Sequence, residues 1–347
     1  MRVFWKKKQF WGGLIAVALL VFCLKDIKLG EIKVLLTRVN YYYLIPAIVS
    51  SYVFLIFKGF RWKVLLSRQK KMTSSWAISI YSAGQILNIV MPALTGQVGR
   101  MILFARKECL KKTVIFSTIV LEVLFDAFTL IIFVFFTSLA FAFPEEYRSL
   151  SYIISGVTAA VVVGLYLTLL NQRRLEDMGR RHLRDRWPGI YISVKKFIRS
   201  FTKGMELLRS SQHIFSTILV SILCWTAHML AIYFLIRSFG FELPLAASAV
   251  VMIINTVVLM VPITPGNAGT FEFAVSASLT AFSIGRSDAV LFSLALHLLD
   301  LLPIFTLGAT FIHYDKTSLK EIKSRHEEED IFDNISEDGT VIEEERV

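Results

Sequence analysis

Nine apolar runs fill most of this chain, at about residues 10–24, 41–60, 76–94, 113–143, 150–170, 213–236, 244–261, 271–284 and 289–312. They restrict the fold more than any motif does. Hydrophobic residues make up 55% of the 347 positions, a share that a soluble domain of this length does not normally reach. A helix that spans a bilayer needs ~20 apolar residues, and runs 113–143, 150–170, 213–236 and 289–312 meet that requirement. The run at 10–24 is short, but Phe10 and Trp11 suit the interface and Lys6 to Lys8 anchor its end. A signal peptide is the competing reading of that run. No small-x-small cleavage site follows it, and Phe22 before Cys23 argues against lipoprotein processing, so an uncleaved anchor is expected.

Within this apolar chain one short pattern, Pro-x-x-x-Gly-x-x-Gly, occurs twice: Pro92, Gly96, Gly99 and Pro262, Gly266, Gly269. The offset is 170 residues, half the chain. With 8 Pro and 18 Gly, chance gives one such match only about 0.02 times, so a duplication is expected. Proline ends a helix by lacking the N–H and clashing with the preceding turn, and glycine permits a close or left-handed backbone. The backbone groups freed there cannot face lipid, so the breaks must lie in protein or line a wet cavity. Seven residues upstream of each proline stands an amide, Gln85 or Asn255, placed to hydrogen-bond across the break.

The formal charge of +11 is distributed unevenly. Residues 315–347 hold 12 acidic and 5 basic side chains and read as an acidic disordered cytoplasmic tail. The basic excess sits between apolar runs, so it reads as positive-inside topology and not as nucleic-acid binding. Residues 171–212 carry 11 Lys/Arg and 4 Asp/Glu and form the expected cytoplasmic loop, as do the basic stretches 58–71 and 95–112. The turn near Pro144, Glu145 and Glu146 is expected outside, and so is 25–40 despite its four basic residues. With 58–71 and 95–112 on one side, run 76–94 has to enter and leave by the same face. The expected fold is therefore an all-α polytopic membrane protein. It has about six spanning helices plus two re-entrant or broken elements, arranged as an inverted repeat of halves 10–143 and 150–314. This puts the chain in the cytoplasmic membrane with both termini in the cytoplasm.

Four ionisable residues lie deep in spans. Glu122 stands nine residues past Thr113, about 14 Å along a helix, and Asp126 lies one turn further on the same face. His297 and Asp300 share a face near the middle of the last run. Such groups face a bundle interior or a wet cavity and find partners there. Proton relay, pairing with Arg100, contact with a lipid headgroup and a purely structural network are all compatible with these positions.

The stretch PALTGQVGR at 92–100, LEVLFD at 121–126 and PITPGNAGTFE at 262–272 together resemble the lysylphosphatidylglycerol synthase transmembrane-region family of flippase-like membrane proteins. The resemblance covers about residues 10–314 and is most specific at Pro262, Pro265, Gly266, Gly269 and Glu272. Gln97 stands where the family usually has an acidic residue, and Val123 where it has arginine; Arg100, Glu122 and Asp126 match. The resemblance implies a translocation site including Arg100, Glu122, Asp126, Glu272, His297 and Asp300.

No phosphate loop, HExxH or Gly-x-Ser-x-Gly pattern occurs, and Cys23, Cys109 and Cys224 suggest neither a disulfide framework nor a metal cluster. No metal, cofactor or catalytic residue is expected. Bifunctional family members carry a soluble aminoacyl-transfer domain, for which the 33-residue tail is too short. Three readings stay open: a translocase for a phospholipid, an aminoacylated phospholipid or a polyprenyl-phosphate lipid; a membrane enzyme of lipid or glycolipid synthesis; and an accessory subunit that recruits a lipid-modifying synthase. Membrane lipids are the expected partners.

Overall fold

The computed structural model describes residues 39–90, 94–108, 110–140, 210–260 and 264–315, with Leu19, Val21, Cys23 and Thr37. Runs 10–24 and 150–170, the basic loop 171–212, the turn near Glu145 and the tail lie outside the described residues, apart from isolated positions and residues 210–212 and 315. Every regular element among the described residues is helical. Long apolar runs become long helices: α1 (Tyr41–Leu66), α4 (Lys112–Ala140), α5 (Ser211–Ser238) and α8 (Arg286–Asp315). Each has the length and composition to cross a membrane; the 26 residues of α1 alone extend about 39 Å.

The shorter helices come in pairs: α2 (Ser74–Val90) with α3 (Leu94–Glu108), and α6 (Leu245–Leu259) with α7 (Thr270–Thr280). At 17, 15, 15 and 11 residues they extend about 26, 22, 22 and 16 Å, each short of a ~30 Å hydrocarbon core. The arms of the first pair run antiparallel. Gly96 lies against Asn88, and Gly84 lies against Arg100 and Phe104. At the open end Lys70 Nζ donates to the Glu108 carbonyl at 2.8 Å, and Trp76 Nε1 donates to Glu108 Oε1 at 2.6 Å. Both ends of the hairpin are thereby tied together, which is the geometry of an element that enters and leaves by one face.

The described residues hold the same order twice: long helix, hairpin, long helix. Helices α1 and α5 begin 170 residues apart, the offset of the Pro-Gly pattern. These two pack against each other antiparallel. Asn40 at the start of α1 donates its N–H to the carbonyl of Ser238 at the end of α5 (2.7 Å), while Arg61 near the end of α1 reaches Ser221 (3.2 Å). Among the described residues two large apolar cores result, one around each hairpin, beside a small cluster of Leu65, Leu121 and Phe125. The first joins Leu55, Trp62 and Leu66 of α1 to Tyr81 of α2 and Phe104 of α3; the second joins α5, α6, α7 and α8 through Ile232, Met252, Val275 and Phe292.

The glycines of the duplicated pattern do different work in the two halves. Gly266 and Gly269 sit in the second break with φ of 58° and 84°, left-handed values that a Cβ disfavours. Gly96 and Gly99 lie inside α3 instead. A Cβ on Gly96 would come within 2.7 Å of Asn88 Cα, so there glycine serves close packing of the arms and not a turn. The helices stop at Val90 and Leu259, where the prolines predict; Pro92 and Pro262 themselves lie outside the described residues. A second difference concerns the basic stretch 58–71. Lys58, Arg61 and Lys63 belong to α1, which runs on to Leu66, because the bundle interior supplies partners that an apolar window does not register.

Candidate functional site

Helices α1, α2, α3 and α4 bring five charges together in the interior. Arg61, fully buried on α1, donates from Nη1 to Asp126 Oδ1 at 2.5 Å, and its Nη2 lies 3.6 Å from Glu122 Oε1. Arg100 of α3 donates to Glu122 Oε2, and the Tyr81 hydroxyl of α2 donates to Glu122 Oε1. Asp126 also accepts from Trp225 Nε1 of α5 at 2.7 Å and faces Lys58 Nζ at 3.6 Å. Arg100 further lies over the Tyr81 ring, 4.7 Å from its centroid. The network comprises three cations and two carboxylates. Burial of ions demands such pairing, and one positive charge is left over. Only Lys58 and Asp126, each with a side chain 18% exposed, open outward from it. The Nε atoms of Arg61 and Arg100 are buried without a hydrogen-bond partner among the described residues.

The second half carries two histidine–carboxylate pairs. Glu272 of α7 turns back on its own helix, where Oε2 accepts the Gly269 N–H at 2.6 Å, while Oε1 meets His297 Nδ1 at 2.6 Å. The imidazole of His297 stacks on Phe271. Glu272 thus caps the helix that starts from the break and holds the imidazole of α8. One turn along α8 the carboxylate of Asp300 faces His228 of α5, with Nε2 at 3.3 Å from both oxygens. His297 and Asp300 share a helix face, but each pairs with a different helix. A stack of rings connects the two halves: His228 on Phe54 at 4.4 Å, with Lys58 Nζ 5.0 Å from the Phe54 centroid and 5.1 Å from that of Trp225.

At the breaks, Gly266 abuts Ile89, the penultimate residue of α2; a Cβ there would lie 3.3 Å from Ile89 Cγ2. The turn of the second hairpin therefore touches the end of the first. Asn255 Oδ1 is buried with no hydrogen-bond partner among the described residues. Gln85 is half-buried on α2, and Gln97 Oε1 is likewise buried without a partner. Among the described residues no three His, Cys, Asp or Glu side chains gather as a metal site.

Sequence reasoning missed Lys58, Arg61, Tyr81, Trp225 and His228. The spacing of Lys58 and Arg61, three apart on one helix face, was a usable signal. His228, alone in the middle of an apolar run, was another.

Four long apolar helices with two helical hairpins between them define an all-α polytopic membrane protein. The chain belongs to the family described as the lysylphosphatidylglycerol synthase TM region, which matches residues 9–308. It is also 20% identical over 327 residues to a "UPF0104 membrane protein" of Methanothermobacter thermautotrophicus, covering 89% of this chain and 95% of that protein. No solved structure matches.

Proposed function

We propose that this chain is a lipid translocase, moving a phosphate-bearing lipid between leaflets of the cytoplasmic membrane. The observation that carries this reading is the interior network of Lys58, Arg61 and Arg100 against Glu122 and Asp126. It has an excess positive charge and opens at Lys58. An ionisable cluster in a membrane interior is costly and marks a pathway or site. An anionic headgroup would neutralise the excess charge while its acyl chains stay in the bilayer.

Two further features support the reading. Hairpins whose arms are shorter than the hydrocarbon core are the broken elements around which transporters build their midplane sites. The two halves, about 10–143 and 150–314, act as inverted repeats that alternate around the break. In this reading the basic loop 171–212 lies in the cytoplasm by the positive-inside bias, and both termini lie there with it.

The test is a headgroup-accessibility assay in liposomes holding only this protein, with phosphatidylglycerol, its aminoacylated form and an isoprenyl phosphate in turn. Protein-dependent movement of at least one is expected. Movement of none sinks the reading and returns the chain to the class of synthesis enzymes or accessory subunits.

A further inference from the structure

The 170-residue repeat places Lys58 of α1 and His228 of α5 at equivalent positions. Each faces an aspartate on the long helix that closes its own half: Asp126 on α4 at 3.6 Å, Asp300 on α8 at 3.3 Å. Both basic groups lie against the same Phe54 ring. The architecture is shared, but the chemistry differs. An ammonium stays charged across the physiological range, whereas an imidazole gains and loses its proton within it.

The charged and titratable groups around His228 are few. From α1 come Lys58 and, further along, Arg61; from α4 come Asp126, through Trp225, and Glu122; from α8 comes Asp300. His297 of α8 is engaged by Glu272 of α7. Helix α6, which also packs on α5, has no ionisable residue. Among the described residues, Asp300 is the one of these groups that pairs directly with the imidazole. A neutral imidazole beside an ionised Asp300 leaves a net negative charge in an apolar crossing, and one more proton makes a neutral ion pair. With Nε2–H directed at Asp300, the second proton resides on Nδ1. That atom is buried and has no hydrogen-bond partner among the described residues, in a residue only 5% exposed. An imidazolium here has one N–H in search of an acceptor, and a phosphate oxygen supplies one. The carboxylate of Asp300, 18% exposed, is the more open end of the pair.

We propose that the His228–Asp300 pair is a proton-binding site that couples translocation to a proton gradient, with one proton and one anionic headgroup carried together; this rests on the translocase reading. Binding adds a proton from water to the pair on one side, and release returns it to water on the other, with no other bond made or broken. Proton and anion travel together, so lipid collects in the leaflet facing the more alkaline compartment.

The experiment uses liposomes of the full chain with an imposed gradient of one pH unit, worth a factor of about 10 at one proton per lipid. The readout is the leaflet ratio of whichever of the three lipids moves. A ratio displaced up to about tenfold toward the alkaline side is expected for the wild type, and His228→Lys, which copies the other half, is expected to hold the ratio at one. Proton movement, followed with a pH dye inside the liposomes, gives an independent reading. A lipid gradient imposed at equal pH is expected to acidify the compartment toward which the lipid moves, and His228→Lys is expected to abolish that acidification. Lipid movement with a ratio that ignores the gradient, displacement toward the acidic side, or lipid movement with no accompanying proton movement each overturns the proposal while leaving the translocase reading intact. Movement of no lipid overturns both.

Discussion

Glu122→Gln tests the charge arithmetic of the first network most directly. In the native chain three cations face two carboxylates. Replacing the carboxylate with an amide leaves three against one, so a net charge of one becomes two, and both buried guanidinium groups lose a counter-ion. Breaking a buried pair from one side costs about 3–5 kcal/mol, which for a chain of this size lowers the melting temperature by on the order of 10 °C. Arg61→Met is expected to cost less, although Arg61 is the more deeply buried. It removes the hydrogen bonds to Asp126 and Ser221, worth about 2 kcal/mol. It leaves two matched pairs, Lys58 with Asp126 and Arg100 with Glu122. The double variant restores the native excess of one positive charge and is expected to be more stable than Glu122→Gln alone, a coupling of about 1–3 kcal/mol. Thermal unfolding of the purified proteins in one detergent at one scan rate gives the ranking. A double variant no more stable than Glu122→Gln, or a single variant that melts like the wild type, refutes the reasoning.

Two other outcomes follow from the fold. Gly266→Ala and Gly240→Ala both place a Cβ on a left-handed residue, at φ of 58° and 74°, and each is expected to cost about 1–2 kcal/mol. Only at Gly266 does the new carbon meet a neighbour, Ile89, whereas Gly240 has nothing within 4 Å. Lipid movement is therefore expected to fall in Gly266→Ala and to stay near wild type in Gly240→Ala, measured in the same liposomes at matched protein. The antiparallel contact of α1 with α5 predicts that Asn40→Cys combined with Ser238→Cys forms a disulfide on mild oxidation, because the two backbones are joined by a 2.7 Å hydrogen bond there. The crosslinked chain migrates faster on a non-reducing gel, and absence of the crosslink rejects the pairing.

Much of the architecture was legible because it depends on local chemistry. Apolar runs specify long helices, and Pro92 and Pro262 mark where helices stop. The role of the glycines was less legible. Gly96 and Gly266 occupy the same place in a repeated pattern, yet one packs against Asn88 inside a helix and the other bends a turn. Which of these applies depends on where α3 and α7 begin, and that is decided by tertiary contact. Arg100 and Glu122 stand 22 residues apart, with the α3–α4 turn between them, so their pairing follows from packing and not from sequence spacing. Lys58 and Arg61 were hidden for a simpler reason. A charge ends an apolar window by definition, and both lie where α1 carries that charge inward to a partner.

Helix α2 is gripped where backbones approach most closely. Gly59 of α1 sits over Ile78, with a virtual Cβ 2.6 Å from its Cα; Gly308 of α8 sits over Ser82 and Ile86; and its own Gly84 admits Arg100 and Phe104 of α3. Each notch fits one ridge, so turning α2 about its axis drives side chains into backbone on three sides at once. It has no free rotation and moves only as one body with its neighbours. The contact of Ile89 with Gly266 is of another kind: a virtual Cβ there lies 3.3 Å from Ile89 Cγ2, tighter than ordinary packing but against a side chain that can give, opposite a turn with three left-handed residues, Gly266, Asn267 and Gly269. Any parting of the two hairpins therefore has its hinge in the second one, with α2 as the fixed post against which it swings.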